Sequence, residues 1–161
     1  MATSIWGNDD KWEEIQERID ELAGRSDPHV RVGILEAKGG GETDEDSGIA
    51  MTDLGRIHEF GDEASGIPER SFIRRTFDER RDELARMQGE LTEAVIAGEV
   101  SPAKALDLLG GWGAGEVKKR IAQGPHIPPP NAPATIARKG SDRPLVDNGQ
   151  LVNSINHEVE A

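Results

Sequence analysis

Pro144-Leu145-Val146-Asp147-Asn148-Gly149-Gln150-Leu151-Val152-Asn153-Ser154-Ile155-Asn156-His157-Glu158-Val159 reads as a helix start that runs into a strand. Asp147 has the side chain of an N-cap, and Gln150 stands at the third helical position, where a capping-box partner belongs. Val146 and Leu151 have the spacing of a hydrophobic staple. Ile155, His157 and Val159 then alternate as a final strand. A strand needs a partner edge, and Val30, Val32 and Ile34, alternating within Val30 to Glu36, supply one. The expected fold is therefore α+β: a small antiparallel sheet packed with a long helix and shorter helices, plus an extended Pro-rich arm.

Working outward, Trp12, Ile15, Ile19 and Leu22 recur at helical spacing, so Asp10 to Leu22 is expected to be an amphipathic helix ended by Gly24. Lys38 to Gly48 is a glycine and acid loop without an apolar anchor. Ile49 to Phe60 is expected to be a helix with Ile49, Leu54 and Ile57 inward. Gly61 to Glu69 follows as a loop, in which Pro68 pushes Ile67 out of the helical region. Ser71 to Ala97 is the strongest helix, with Ile73, Phe77, Leu84, Met87, Leu91 and Val95 on one stripe. Gly98 stops it. Ser101 and Pro102 then form an N-cap and first helical position. Leu106, Leu109, Val117 and Ile121 continue an inward face. Gly110, Gly111, Gly113 and Gly115 predict a kink or break, because each glycine costs about 1 kcal/mol in a helix.

From Gln123 to Leu145 there is no period, and the prolines crowd before Ala134. A structureless stretch of this length is uncommon inside a compact domain and points to an arm. The chain thus divides into an N-terminal helical extension (1–24), an α+β core (25–122), the arm (123–146) and a C-terminal helix and strand that rejoin the core (147–161). The arm is expected to lie on a neighbouring subunit through Pro128, Pro129, Pro130, Asn131 and Pro133. Its basic island, Arg138, Lys139 and Arg143, with Pro144 and Leu145 behind it, fits an acidic neighbour. A second contact is expected at Ile67, Pro68, Phe72 and Ile73, where an extended backbone leads into apolar residues.

The composition agrees with a chain that packs on others. Of 161 residues only 35% are hydrophobic and 4% aromatic, with no tyrosine. The core must be lean, and partner subunits could supply missing burial. The formal net charge is −12. Duplex DNA is held mainly by neutralising phosphates, so an acidic chain is a poor binder and a suitable wall for DNA to slide past. A salty habitat is a second source of such acidity. There is no cysteine, which excludes disulfides and thiolate metal sites. Residues 1–10 lack a basic start and an apolar run, so no signal peptide is expected. No stretch approaches the roughly 18 apolar residues of a membrane span, so no membrane partner is expected.

No enzyme is expected either. The histidines at 29, 58, 126 and 157 are not spaced as metal ligands, and His58-Glu59 is at most a lone pair. Gly110 to Glu116 resembles a phosphate loop only superficially, since Glu116 stands where lysine is needed. No serine sits in a nucleophile elbow. No cofactor is expected.

Three blocks, in order, resemble a family of tailed-phage neck and tail-completion proteins, also called virion-morphogenesis or minor tail proteins. The first is Ile57-His58-Glu59-Phe60-Gly61 with Ile67-Pro68-Glu69-Arg70-Ser71-Phe72-Ile73-Arg74; Glu69 and Ser71 depart from the family's usual Ala and Pro. The second is Pro129-Pro130-Asn131-Ala132-Pro133 with Thr135-Ile136 and Arg138-Lys139-Gly140. The third is Pro144 to Leu151 with Ser154-Ile155, where Asn148 replaces the usual Thr. The resemblance implies a structural subunit of the head-to-tail connector of a virion, assembled in the host cytoplasm. It also implies a homo-oligomeric ring of six-fold or twelve-fold symmetry that touches other neck and tail proteins and lets DNA pass without specific binding. A tail terminator capping the tube is the nearest alternative. A small acidic regulatory or DNA-mimic protein is the alternative of another class.

Overall fold

The computed structural model describes residues 13–15, 17, 28–45, 47–123, 127–140, 142, 145 and 149–160, with only the backbone of 138 and 139. The expected strand pair is present. β1 (His29–Ile34) and β2 (Ile155–Glu160) run antiparallel, with Val30 opposite Val159 and Ile34 opposite Ile155. Between them come α1 (Met51–Phe60), α2 (Arg74–Glu79), α3 (Arg81–Ile96), α4 (Pro102–Ala122), α5 (Pro133–Lys139) and α6 (Gln150–Ser154). The architecture is α+β, with α4 as its long helix. Of the N-terminal helix expected over Asp10 to Leu22, the described residues Glu13, Glu14, Ile15 and Glu17 are helical and the rest lie outside the described residues.

α4 lies against the sheet and starts where Ser101-Pro102 predicts. Ser101 Oγ accepts from Lys104 N at 3.2 Å, and Pro102 occupies the first turn. The glycine kink does not occur, for α4 runs unbroken over 21 residues. The glycines instead set how closely helix and sheet approach. A Cβ on Gly110 would meet Val30 Cγ2 at 2.5 Å and His157 Cδ2 at 2.6 Å. One on Gly113 would meet the Phe77 ring at 3.2 Å and Val32 Cγ2 at 3.3 Å. His157 cannot easily yield, because its Nε2 is 2.9 Å from Asp107 Oδ1 on α4. That hydrogen bond, helped by Lys104, holds the Asp107 carboxyl down at about 2.

Two substitutions with the same helix propensity should therefore have opposite signs. A methyl on Gly115 would meet nothing within 4 Å, so Gly115→Ala is expected to stabilise by up to about 1 kcal/mol. Gly110→Ala gains the same propensity but overpacks the helix–sheet seam, a cost of about 1–3 kcal/mol, so it should lower stability. Denaturant midpoints of the two variants check this; shifts of the same sign would contradict the close-approach account.

The long helix expected from Ser71 to Ala97 is two helices. Arg80, at φ −104° and ψ 16°, breaks it. The first turn is also delayed to Arg74, because the Phe72, Ile73 and Arg74 N–H groups bond a side chain from α1. Both helices on either side of the break pack on α4, and Phe72 and Phe77 join the cluster beside the sheet. Glu116, 7% exposed, meets Arg80 at the break at 3.4 Å and Lys119 one turn along α4, and Arg120 of α4 pairs with Glu79 of α2. Glu116 is thus a buried ion-pair member at a packed helix seam.

In α1 the inward stripe is Met51, Gly55 and Glu59, in place of the expected Ile49, Leu54 and Ile57; Ile49 is exposed and Leu54 and Ile57 half-buried. Gly55 leaves room for Ile34 of β1. The loop before α1 is a hydrogen-bonded turn. Thr43 bridges Ala50, and the Asp44 carboxylate accepts from Ser47 N at 2.8 Å and Ser47 Oγ at 2.7 Å.

The main core is one cluster: Phe72, Ala114, Val117, Ile121, Ile127, Leu145, Leu151 and Ile155. Full burial of each large side chain is worth roughly 2 kcal/mol, so this cluster carries much of the chain's stability. It includes Ile127 and Leu145, one near each end of the arm. The arm is therefore anchored on its own chain, and it contains the helix α5, which its aperiodic sequence does not predict. Leu145 takes a left-handed φ of 61°, which costs a non-glycine residue about 1–2 kcal/mol and is offset by burying its side chain. α6 begins at Gln150 with Gly149 (φ 84°) flanking it, two residues later than an Asp147 cap would give; Asp147 and Val146 lie outside the described residues.

Candidate functional site

The first sequence block folds into a hub around one buried carboxylate. Glu59, 4% exposed, is at the end of the inward stripe of α1. Its oxygens accept from Ser71 Oγ at 2.7 Å, Phe72 N at 2.8 Å, Ile73 N at 2.9 Å, and Arg74 N and Nε at 3.0 Å each. Glu59 thus caps α2 from another helix, supplying the anion that a helix N-terminus favours. Burial alone would raise its pKa. The hydrogen bonds from Ile73, Ser71, Arg74 and Phe72 outweigh burial and hold the carboxyl below its ordinary value.

Arg74 extends the network outward. Its Nη2 donates to the Glu59 carbonyl at 2.9 Å and to Glu69 Oε1 at 2.8 Å, and its guanidinium lies 4.5 Å from the centre of the exposed Phe60 ring. Gly61 turns the chain out of α1. Asp62 and Ile67 then close the loop by exchanging backbone hydrogen bonds at 2.8 and 2.9 Å. Arg70 N returns to His58 O at 2.7 Å.

Arg70 joins this hub to the arm. Its side chain, on a residue 7% exposed, donates from Nε to Pro129 O at 2.9 Å and from Nη2 to Pro130 O at 3.2 Å. Desolvation draws its pKa below the ordinary guanidinium value. The planar fork suits two successive carbonyls, which a lysine could not hold together.

The expected contact residues fall into different groups. Pro68, Pro128, Pro129, Pro130 and Pro133 are exposed, and Ile67, Ile73 and Asn131 are half-buried. Asn131 Nδ2 reaches Asp142 O at 3.4 Å. Phe72 (0% exposed) and Leu145 (8%) are taken up by their own core and have no apolar surface left for a neighbour. Arg138 and Lys139 lie in the last turn of α5, closed by Gly140 at φ 67°. Their side chains, with Arg143 and Pro144, lie outside the described residues. Residue-by-residue reading misses the hub, although Glu59, Arg70 and Arg74, charges inside a block of apolar and turn residues, are a signal for it.

Among the described residues no three His, Asp or Glu side chains converge as metal ligands, and no helix is long and apolar enough to cross a membrane. An open depression of about 650 Å³ beside the sheet is lined by Arg31, Ile34, Leu35, Glu36, Thr52 and Glu158, among others. Comparison with protein-family models, with curated proteins and with solved structures finds no match to this chain.

Proposed function

We propose that the chain is a structural subunit of a virion head-to-tail connector, a neck or tail-completion ring protein that surrounds the DNA channel. The observation that carries this reading is the meeting of the three family-like blocks in space. Arg70 of the first block holds the carbonyls of Pro129 and Pro130 in the second. Phe72 of the first shares one cluster with Leu145, Leu151 and Ile155 of the third. Blocks far apart in the chain thus form one packed unit, as parts of a shared fold would and unrelated coincidences of spelling need not. The exposed prolines of the arm give a stiff surface with little conformational entropy to lose on contact. The charge of −12 suits a channel wall past which DNA slides.

Native mass spectrometry of the full chain tests this, with a closed ring of many copies as the expected result. In a virus encoding the chain without the exposed arm, heads should fill with DNA but fail to join stable tails. A monomer or dimer at every concentration, or tailed particles at wild-type yield from the arm-deleted virus, overturns the reading.

A further inference from the structure

We propose that the arm of one copy docks on the Phe60 loop of the next, its prolines on the exposed ring and its basic island on the acids around it. This inference rests on the ring-subunit reading and names its contact. The chain has three phenylalanines. Phe72 and Phe77 pack in or against the core, whereas Phe60, at the end of α1, is 60% exposed. The ring is not loose at the surface. The Arg74 guanidinium lies over it, 4.5 Å from its centre. That guanidinium is itself fixed by Glu59 Oε1 at 3.0 Å, Glu59 O at 2.9 Å and Glu69 Oε1 at 2.8 Å. A braced cation thus backs the ring, which is presented outward in a set orientation. Gly61 then turns the chain into a loop whose Pro68 is also exposed.

A fixed aromatic ring favours an apolar partner that loses little freedom on contact. Proline rings are such a partner, since their φ is already set, and aromatic surfaces receive proline-rich segments in many recognition domains. Pro128, Pro129 and Pro130 are exposed. Arg70 holds the carbonyls of the last two, so these prolines are presented as a stiff edge in their turn. Within one chain the arm and Phe60 do not cover each other, for both stay exposed. The two surfaces are left to meet between copies.

Charge selects the same pairing. Residues 61–69 hold Asp62, Glu63 and Glu69 and no cation. The arm, residues 123–146, holds Arg138, Lys139 and Arg143 against one acid, Asp142, in a chain whose net charge is −12. Arm set on arm, or loop on loop, would bring like charges together. Arm on loop brings opposite charges together, which suppresses the wrong partners. Arm and loop are unlike patches, so the contact is heterologous and passes from copy to copy until it closes into a ring. Exposed ion pairs contribute little affinity. They choose the partner, while the apolar contact at Phe60 holds it.

The test uses variants of the full chain. Phe60→Ala should keep a near wild-type melting temperature, because the side chain lies outside the core, yet need about tenfold more protein to assemble. Glu63→Lys copies and Lys139→Glu copies should each assemble more weakly than the wild type. An equimolar mixture of the two should recover, since alternating copies place opposite charges at every contact. The mixture restores nothing inside either chain, so only pairing between copies explains the recovery. Because the chain has no cysteine, a cross-link covers the case in which charge reversal unfolds a variant. Glu63→Cys copies mixed with Lys139→Cys copies should join through a short thiol cross-linker, and neither should do so alone. A ring that forms from Phe60→Ala at wild-type concentrations, or that yields no such cross-link, overturns the arm-on-loop contact and leaves the ring reading standing. If virus carrying Phe60→Ala forms such rings but fails to join tails, the loop serves another virion protein instead. A wild-type chain that never assembles overturns both readings.

Discussion

Glu59→Ala is expected to lower stability by about 3 kcal/mol near neutral pH. The substitution removes the acceptor of Phe72 N, Ile73 N and Arg74 N together, at a site where Glu59 and Phe72 are 4% and 0% exposed. Buried N–H groups left without a partner cost about 1–3 kcal/mol each. Arg74 is half-exposed and can turn to water, which keeps the total nearer the low end of that sum. Glu59→Gln should cost less at neutral pH, because one oxygen still accepts. The two also differ in pH dependence. The Glu59 pKa is depressed in the folded state, so its contribution is complete above the unfolded value. It is lost as the pH falls through the lower, folded value. The stability gap between wild type and Glu59→Gln, read from denaturant midpoints, should therefore shrink in acid. A gap that stays constant into strong acid would show that the charged form of Glu59 is not what the hub holds.

Gly61→Ala is expected to cost about 3 kcal/mol, from two effects that act together. Gly61 has φ 77° and ψ 171°, a region that essentially only glycine occupies. Its added methyl would also lie 2.8 Å from Glu69 N and 3.1 Å from Ile67 O. Those are backbone atoms of the strap that carries Arg70, so neither can swing aside. Gly66 on the same loop separates the two effects, with φ 65° and nothing within 4 Å. Gly66→Asn should be nearly neutral, since asparagine tolerates left-handed backbone. Comparable losses of melting temperature at both positions would contradict the steric half of this account.

Signals confined to a few consecutive residues are legible in the sequence. The alternation in β1 and β2, the Ser101-Pro102 start of α4 and the end of α3 before Gly98 (φ 75°) all stand in the structure. Each depends on what one residue does to its own backbone or to the turn beside it, so neighbours suffice to determine it. The approximate place of the hub is also legible, as the block from Ile57 to Arg74, but its chemistry is not. Beside its neighbour in sequence, Glu59 forms with His58 at most a lone pair of ligands, whereas its partners in the fold are the N–H groups of residues 72–74.

Tertiary structure decided the rest, because it set distances between segments that no local pattern encodes. Helix propensity alone predicts a kink at Gly110 to Gly115. Propensity sums only about 1 kcal/mol per glycine, and the sheet packed on α4 outweighs it while needing Gly110 and Gly113 bare. The stripe from Ile73 to Val95 has the period of one helix, yet Arg80 bends the chain and divides it into two helices that both pack on α4. From Gln123 to Ala134 the sequence offers Ile127 as the one large apolar residue. Leu145 and the Arg70 fork add to it, and they become anchors only when residues some sixty positions apart are brought together. Local pattern sufficed for the two strands, for α1 and for the start of α4, but not for α5 or for the break at Arg80. The fold decided which side chains bear charge inside the core and which glycines must stay glycine.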